Sequence, residues 1–190
     1  MSRIIAGIAG SIRLAPAAAG TRPSSDRLKE SLFSQLENLD ALEDARVLDL
    51  FAGSGALGLE ALSRGAASLT GIEKNRAALD VCLRNAASVG SALNTAGKRP
   101  PIDFKLADAI SYVSSTTKEF DLVLLDPPYD LDTQKVEGLL KLLVGILSDE
   151  GLVALEQSAK VQIATPDGLE LISNKNYGDS AIWLFRGNAH

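Results

Sequence analysis

The residues best suited to chemistry are Asp126, Pro127, Pro128 and Tyr129, at the end of a predicted strand covering 120–126. Proline has a fixed backbone angle and no N–H, so this turn offers carbonyl oxygens without competing donors. The Asp126 carboxylate and the Pro127 carbonyl can accept both hydrogens of an exocyclic amine, while Tyr129 stacks on its ring. The pattern predicts transfer of an activated methyl group to an aromatic amine, although the same four residues also suit an ordinary turn.

A second motif follows a short apolar strand that ends at Gly53. Gly53, Gly55 and Gly58 have G-x-G-x-x-G spacing, and leucines at helical spacing come directly afterwards. Glycine allows a sharp bend and a close backbone approach, and the N–H groups at the helix start favour a polar or anionic ligand. Because NAD, FAD and S-adenosylmethionine enzymes all use such a loop, the motif predicts a nucleotide-containing ligand without choosing among them.

Three further acidic residues accompany these motifs. Asp49 lies inside the first strand, which is costly for a carboxylate unless it meets a cation or donors. Glu73 ends the next apolar run, 20 residues after Gly53, where a ribose-binding carboxylate is expected. Asp108 follows a third predicted strand. Because the carboxyl ends of parallel strands share one edge of a sheet, these residues and Asp126 are expected to line one crevice.

Strands and helices alternate along the chain, which predicts an α/β fold with a parallel sheet covered on both faces. An antiparallel pair over 169–175 and 181–186 is expected to close one edge of the sheet. Further strands are predicted at 68–73, 102–107 and 151–156, and helices from about Ser24, at 76–89 and at 136–147, with 90–101 as a polar loop.

Charge is distributed unevenly in this 190-residue chain. The total is −5, but residues 1–30 carry five basic and two acidic side chains, a net +3, which leaves −8 on the remainder. The sequence therefore predicts a basic arm (1–40, a hairpin over 1–14 followed by a linker and a helix) on an acidic domain (41–190), unless a few surface charges are spaced this way by chance. The candidate polyanion contacts are Arg3, Arg13, Arg22, Arg27 and Lys29.

The single cysteine, Cys82, permits no internal disulfide and no cysteine cluster for zinc. It is expected in the core of a cytoplasmic protein. No apolar run approaches the roughly 20 residues that a membrane helix needs. The only histidine, His190, is the last residue.

Three segments together resemble the RsmD family, bacterial 16S ribosomal RNA guanine-N2 methyltransferases that act on the guanine conventionally numbered 966. They are the glycine-loop region 49–66, the Asp-Pro-Pro-Tyr turn, and residues 21–33, whose Thr-Arg-Pro start singles out this family. The resemblance covers nearly the whole chain. It departs at 10–13, where the family usually has more basic residues.

The resemblance implies a Rossmann-like, seven-stranded class I methyltransferase sheet with a small N-terminal hairpin and helix extension. It implies S-adenosylmethionine as cofactor, 16S ribosomal RNA or the assembling small subunit as partner, no metal, no membrane, and a monomer. The target guanine is expected to be flipped towards Asp126, Pro127 and Tyr129. The implied cofactor-binding residues are Asp49, Ala52, Gly53, Ser54, Gly55, Glu73, Lys74, Asp108 and Ala109.

Other functions use some of the same motifs. A dinucleotide-dependent dehydrogenase would leave Asp49 and Asp126 unexplained, and its usual Tyr-x-x-x-Lys or catalytic histidine is missing. A DNA adenine-N6 or cytosine-N4 methyltransferase would use the same amine chemistry, although 190 residues leave little room for a target-recognition region. A protein-glutamine methyltransferase would more often have Asn at position 126. The other class of alternative is a non-catalytic nucleic-acid-binding or nucleotide-binding module, and the nucleic-acid-binding module predicts no binding of S-adenosylmethionine.

Overall fold

The computed structural model describes residues 2–16 and 26–188. The elements in this part of the chain are α1 (Asp26–Asn38), β1 (Arg46–Asp49), α2 (Ala56–Ser63), β2 (Ser68–Glu73), α3 (Arg76–Thr95), β3 (Ile102–Leu106), α4 (Ala109–Ser115), β4 (Phe120–Leu125), α5 (Thr133–Leu143), a 3₁₀ turn (Val144–Ile146), β5 (Leu147–Ser158), β6 (Leu169–Tyr177) and β7 (Ser180–Gly187).

The seven strands form one mixed sheet in the order β3-β2-β1-β4-β5-β7-β6. Strands β1 to β5 are parallel, and β7 pairs antiparallel with both β5 and β6. This confirms the predicted seven-stranded α/β sheet with an antiparallel pair at one edge. The strand order reverses between β1 and β4, and ligands of open α/β sheets bind beyond the carboxyl ends at such a reversal.

The central strands are buried on both faces, as their nearly continuous apolar sequences predict. In β4, Leu122 and Leu124 pack on the face covered by α1 and α2, which we call the α1 face. Val123 and Leu125 pack on the opposite face, with α4 and α5. This alternation determines which side chains at the strand ends can meet.

The N-terminal segment differs from the predicted hairpin. Residues 2–14 fold back on themselves, but Arg3 and Arg13 form a single antiparallel bridge rather than two regular strands. Gly7, at a φ of 80°, turns the chain onto the end of α2, where Ile8 N–H donates to the Ser63 carbonyl (2.8 Å). Because the middle of the segment packs against α2, the two halves pair only at this bridge and do not form an extended β-ladder.

Several boundaries also differ from the sequence predictions. Helix α3 continues to Thr95, six residues beyond the predicted end, because Val89 and Leu93 extend its buried stripe. Helix α5 begins at Thr133, where the Asp132 side chain accepts from the Gln134 N–H and caps the helix. The predicted helix start near Ser24 lies outside the described residues. No helix in the described part of the chain is long and apolar enough to span a membrane.

Candidate active site

The polar strand ends lie along one edge of the sheet. In the register of β1, Asp49 is aligned with Gly71 of β2 and with Leu124 of β4. Asp126 follows β4 directly, and Glu73 ends β2 beside the end of β3. The structure therefore brings the glycine loop, Glu73 and the Asp-Pro-Pro-Tyr turn to the strand-order reversal.

Asp49 is a buried carboxylate with one satisfied oxygen. Its Oδ2 accepts from the backbone N–H of Gly58 (3.0 Å), while Oδ1 is buried and has no hydrogen-bond partner among residues 2–16 and 26–188. Burial, with a smaller contribution from Glu73, raises the pKa of Asp49 to about 7. The hydrogen bond from Gly58 and the nearby N–H of Phe51, which makes no hydrogen bond to Oδ1, lower the pKa and offset this only in part. Such an unsatisfied buried oxygen is suited to a donor or a cation from a ligand.

Glycine is favoured at Gly55 by the backbone conformation and required at Gly58 by the lack of space. Gly55 has a φ of 79°, in the left-handed region. Gly58 has no room for a side chain, because an added Cβ would lie 2.5 Å from the Leu69 side chain. This close approach allows the Gly58 N–H to reach Asp49.

Three side chains fix the loop from outside. Glu73 Oε2 accepts from Gly53 N–H (2.9 Å), and its Oε1 accepts from Asn75 N–H (2.7 Å) at the start of α3. The Cys82 thiol donates to the Gly53 carbonyl (3.1 Å). Burial, aided by the nearby carboxylates, raises the pKa of Cys82 to about 12, so the thiol is protonated and structural, as expected for a core cysteine.

Asn85 of α3 is a third support, and it also reaches the N-terminal segment. The side chain is 4% exposed, and its Nδ2 donates to the carbonyls of Ser54 (2.8 Å) and Ala15 (3.0 Å). Its Oδ1 accepts from the Ala15 N–H (2.9 Å). One amide therefore joins the glycine loop to the end of the N-terminal segment.

Asp108 lies at the end of β3, at the start of α4. Its Oδ1 accepts from Ser111 N–H (3.0 Å) and caps the helix. Asp108 is exposed and Ala109 is buried, whereas Lys74 is exposed just after Glu73. These residues extend the edge of the sheet beyond Glu73.

The Asp-Pro-Pro-Tyr turn leaves β4 with Asp126 half-buried and Pro127 buried. Leu131 N–H donates to the Pro128 carbonyl (2.9 Å) and closes the turn. The Tyr129 hydroxyl reaches inward: it donates to Glu156 Oε1 (3.2 Å) and shares a hydrogen bond with Ser180 Oγ (2.5 Å).

Tyr129 therefore has a fixed position although 37% of it is exposed. Burial is the largest cause that raises the pKa of its hydroxyl, and the carboxylates of Glu156 and Asp126 raise it further. The phenol stays protonated at neutral pH and keeps its hydrogen for donation.

Those predicted polyanion contacts that the structure describes divide into exposed and buried side chains. Arg3, Arg13 and Arg27 are exposed, and Arg3 lies 3.6 Å from Asp26. Lys29 corrects the prediction, because it is 2% exposed, donates to the Arg3 carbonyl and pairs with Glu60 (3.5 Å). Arg22 lies outside the described residues.

Glu60 of α2 was not predicted, and it anchors the N-terminal segment. Its two carboxylate oxygens accept from the N–H groups of Ile5 (2.7 Å) and Ala6 (3.0 Å). Arg64 donates to it at 2.8 Å, and Lys29 approaches from α1. The segment also shares a hydrophobic core with α1 and α2, through Ile4 and other apolar residues. It is therefore firmly attached to the sheet domain.

Glu156 was also absent from the sequence-based site. It is 7% exposed near the end of β5, one position beyond Leu155, which is aligned with Leu125 of β4. The rule that singled out Asp49 applies to Glu156 as well, since an acidic residue in a buried apolar strand needs a partner.

Comparison with known proteins places the chain in a family. A family model described as conserved hypothetical protein 95 matches residues 2–186. The ribosomal RNA small subunit methyltransferase D of Escherichia coli K12 is 36% identical over 157 residues, 83% of this chain and 71% of that protein. The putative rRNA methyltransferase YlbH of Bacillus subtilis is 30% identical, over 90% of this chain and 91% of that protein.

Solved structures agree with the sequence matches. A putative methyltransferase, yhhF, from Escherichia coli superposes with a TM-score of 0.82 at 34% identity, covering 99% of this chain and 98% of that one. A putative methylase from Haemophilus influenzae gives a TM-score of 0.76 at 27% identity, with 98% of both chains covered. The fold is thus that of the class I S-adenosylmethionine-dependent methyltransferases, and the chain belongs to the conserved hypothetical protein 95 family, which is the RsmD family.

Proposed function

We propose that this protein transfers a methyl group from S-adenosylmethionine to the exocyclic N2 amine of one guanine, of the 966 type, in 16S ribosomal RNA. The observation that carries the proposal is the adjacency of two motifs at the strand-order reversal. Asp49 ends β1 and the glycine loop follows it, whereas the Asp-Pro-Pro-Tyr turn follows the neighbouring strand β4. The names of the Escherichia coli and Bacillus subtilis relatives support ribosomal RNA as the substrate.

The residues at β1 and β2 fit the proposed cofactor. The buried Oδ1 of Asp49 lacks a partner among the described residues, and Gly53 and Gly55 have no side chains that would block a close approach of a ligand to the backbone. We assign Asp49 and residues 52–55 to the methionine part of the cofactor, Glu73 and Lys74 to the ribose, and Asp108 and Ala109 to the adenine. The bound cofactor would supply an electrophilic methyl group that needs no further activation.

The turn after β4 is suited to hold the amine. Asp126 and the Pro127 carbonyl would accept its two hydrogens, which directs the nitrogen lone pair away from them. An aromatic amine is a poor nucleophile, so alignment at about 3 to 3.5 Å supplies much of the rate. Asp126 then offsets the positive charge that develops on nitrogen, and the extra proton leaves afterwards. Tyr129, held through its hydroxyl, would stack on the base.

Ribosomal RNA would approach on the side of the N-terminal segment. Arg3 and Arg13 are exposed neighbours across one antiparallel bridge. One carboxylate, Asp26, lies 3.6 Å from Arg3, so the two arginines and Asp26 together keep a positive charge that suits contact with a phosphate. Arg27, exposed at the start of α1, extends this surface, and binding through it should weaken as salt rises.

The test is to supply labelled S-adenosylmethionine with small ribosomal subunits that lack guanine-N2 modification, with naked 16S RNA and with duplex DNA. After digestion to nucleosides, N2-methylguanosine from the subunits or the RNA is the expected product. Label in N6-methyladenine or N4-methylcytosine from DNA would overturn the substrate and keep the amine chemistry. If calorimetry detects no S-adenosylmethionine binding, the chain is a non-catalytic module and the proposal fails.

A further inference from the structure

Glu156 is a buried carboxylate in the wall of the proposed base pocket, and none of the functions described so far accounts for it. In β5, Leu152 and Ala154 pack on the α1 face, so Glu156 points to the same face two residues later. Continued alternation from Leu122 and Leu124 directs Asp126 to that face as well. Leu125 and Leu155 are the last aligned pair of β4 and β5, so Asp126 and Glu156 each come one position after it, on neighbouring chain segments whose spacing in the sheet is roughly 4.8 Å.

Tyr129 lies close to both carboxylates. Its hydroxyl donates to Glu156 Oε1 (3.2 Å) and lies 2.5 Å from Ser180 Oγ. Both Glu156 and Asp126 are close enough to raise the pKa of that hydroxyl, after the larger effect of burial. A carboxylate has about four acceptor positions, so Glu156 can serve Tyr129 and a ligand donor together.

Two adjacent carboxylates discriminate among the bases that carry an amine. In guanine the N2 amine is next to the ring N1–H, so two neighbouring positions both donate. In adenine and cytosine the ring nitrogen beside the amine on the Watson–Crick edge is an acceptor, which a carboxylate repels. Matched hydrogen bonds of this kind are worth about 1–3 kcal/mol of discrimination between bases.

We infer that Glu156 accepts the N1–H of the target guanine while Asp126 accepts from its N2 amine, which makes Glu156 a specificity-determining residue. This inference rests on the proposed function. It also gives a physical reason, independent of the names of relatives, why this pocket favours guanine over the amines of adenine and cytosine.

The test uses 16S RNA in which the target guanine is replaced by 2,6-diaminopurine. This base keeps the 2-amino group that accepts the methyl, but its N1 is an acceptor. The wild-type protein is expected to prefer guanine by about 10- to 100-fold in kcat/KM, the equivalent of the discrimination above. The Glu156→Gln variant offers an N–H to N1 of diaminopurine, so the preference should fall to about threefold or less, or should reverse.

Tyr129→Phe is the matched control, because it removes the hydroxyl from Glu156 without changing the carboxylate. It should lower kcat/KM for both bases by the same factor and leave their ratio at the wild-type value. An unchanged ratio in Glu156→Gln, with thermal unfolding and cofactor binding as in the wild type, would show that Glu156 only positions Tyr129. If the wild-type protein methylates neither RNA, the proposed function itself fails.

Discussion

Replacing Asp49 by Asn should stabilise the cofactor-free protein at alkaline pH. Folding raises the pKa of this carboxyl from 3.8 to about 7, so between these values the folded state binds more protons than the unfolded state. Stability from this group is therefore lost as the pH rises from about 4 to about 7. About three pKa units correspond to about 4 kcal/mol at pH 8.

The asparagine cannot ionise and so avoids this loss of stability, but it places a buried amide donor without an acceptor. Its Oδ1 can still accept from Gly58 N–H, while its Nδ2 takes the place of the oxygen that lacks a partner. A neutral buried donor without an acceptor costs about 1–3 kcal/mol. The net gain at pH 8 is then about 2 kcal/mol, or about 4 to 8 °C in melting temperature for a chain of this size.

Thermal unfolding of the cofactor-free protein between pH 5 and pH 8.5 measures this effect. At pH 5 the wild-type carboxyl is already protonated, so the variant should melt at or slightly below the wild-type temperature. Asp121→Asn is the matched control. Arg46 holds the pKa of Asp121 well below its usual range, so the stability that the Asp121 carboxylate contributes is fully present above about pH 4. This variant should be destabilised equally at both pH values. If the melting difference for Asp49→Asn is the same at pH 5 and pH 8.5, the folded and unfolded states bind equal numbers of protons at Asp49 in this range, so folding does not raise its pKa and the reasoning is wrong.

Three further substitutions test separate parts of the structure. Asp126→Ala should lower methyl transfer by at least about 10³-fold, with the S-adenosylmethionine Kd from calorimetry within about threefold of wild type; an active variant would remove the catalytic assignment. Asn85→Ala should raise that Kd by about 5- to 10-fold, because the Ser54 carbonyl loses its donor, and an unchanged Kd would contradict the role of Asn85 in holding the loop. Glu60→Ala should destabilise the protein by about 3–5 kcal/mol in urea unfolding, because Lys29 stays buried without its carboxylate and Arg64 keeps only Glu37 as an acidic partner; a loss below about 1 kcal/mol would show that the segment docks without Glu60.

Local sequence patterns were sufficient to predict the sheet and several of the polar residues at the carboxyl ends of its strands. Strand β2 has the predicted bounds, 68–73, because a buried parallel strand is an uninterrupted apolar run between turn residues. The carboxyl ends of parallel strands share one edge of the sheet. The common location of Asp49, Glu73 and Asp126 could therefore be predicted without knowing any contact between residues distant in sequence. That they act as assigned stays a prediction.

The N-terminal segment shows what local patterns could not predict. Glu60 is buried because it meets backbone N–H groups about 55 residues away, and no spacing rule connects residues so far apart. Lys29 is different, since it lies three, four and seven residues before Leu32, Phe33 and Leu36. The spacing therefore places Lys29 on the apolar stripe of α1 and predicts burial. The prediction of a polyanion contact instead relied on its positive charge.

Mapping of the modification in cells tests the central claim most directly. Small subunits would be isolated from cells that lack this protein, and mass spectrometry of 16S RNA fragments would locate every methylated guanine. We predict that N2-methylguanosine disappears at one position, the 966-type guanine, and returns with the wild-type protein but not with Asp126→Ala. An unchanged fragment at that position, or full restoration by Asp126→Ala, would contradict the account.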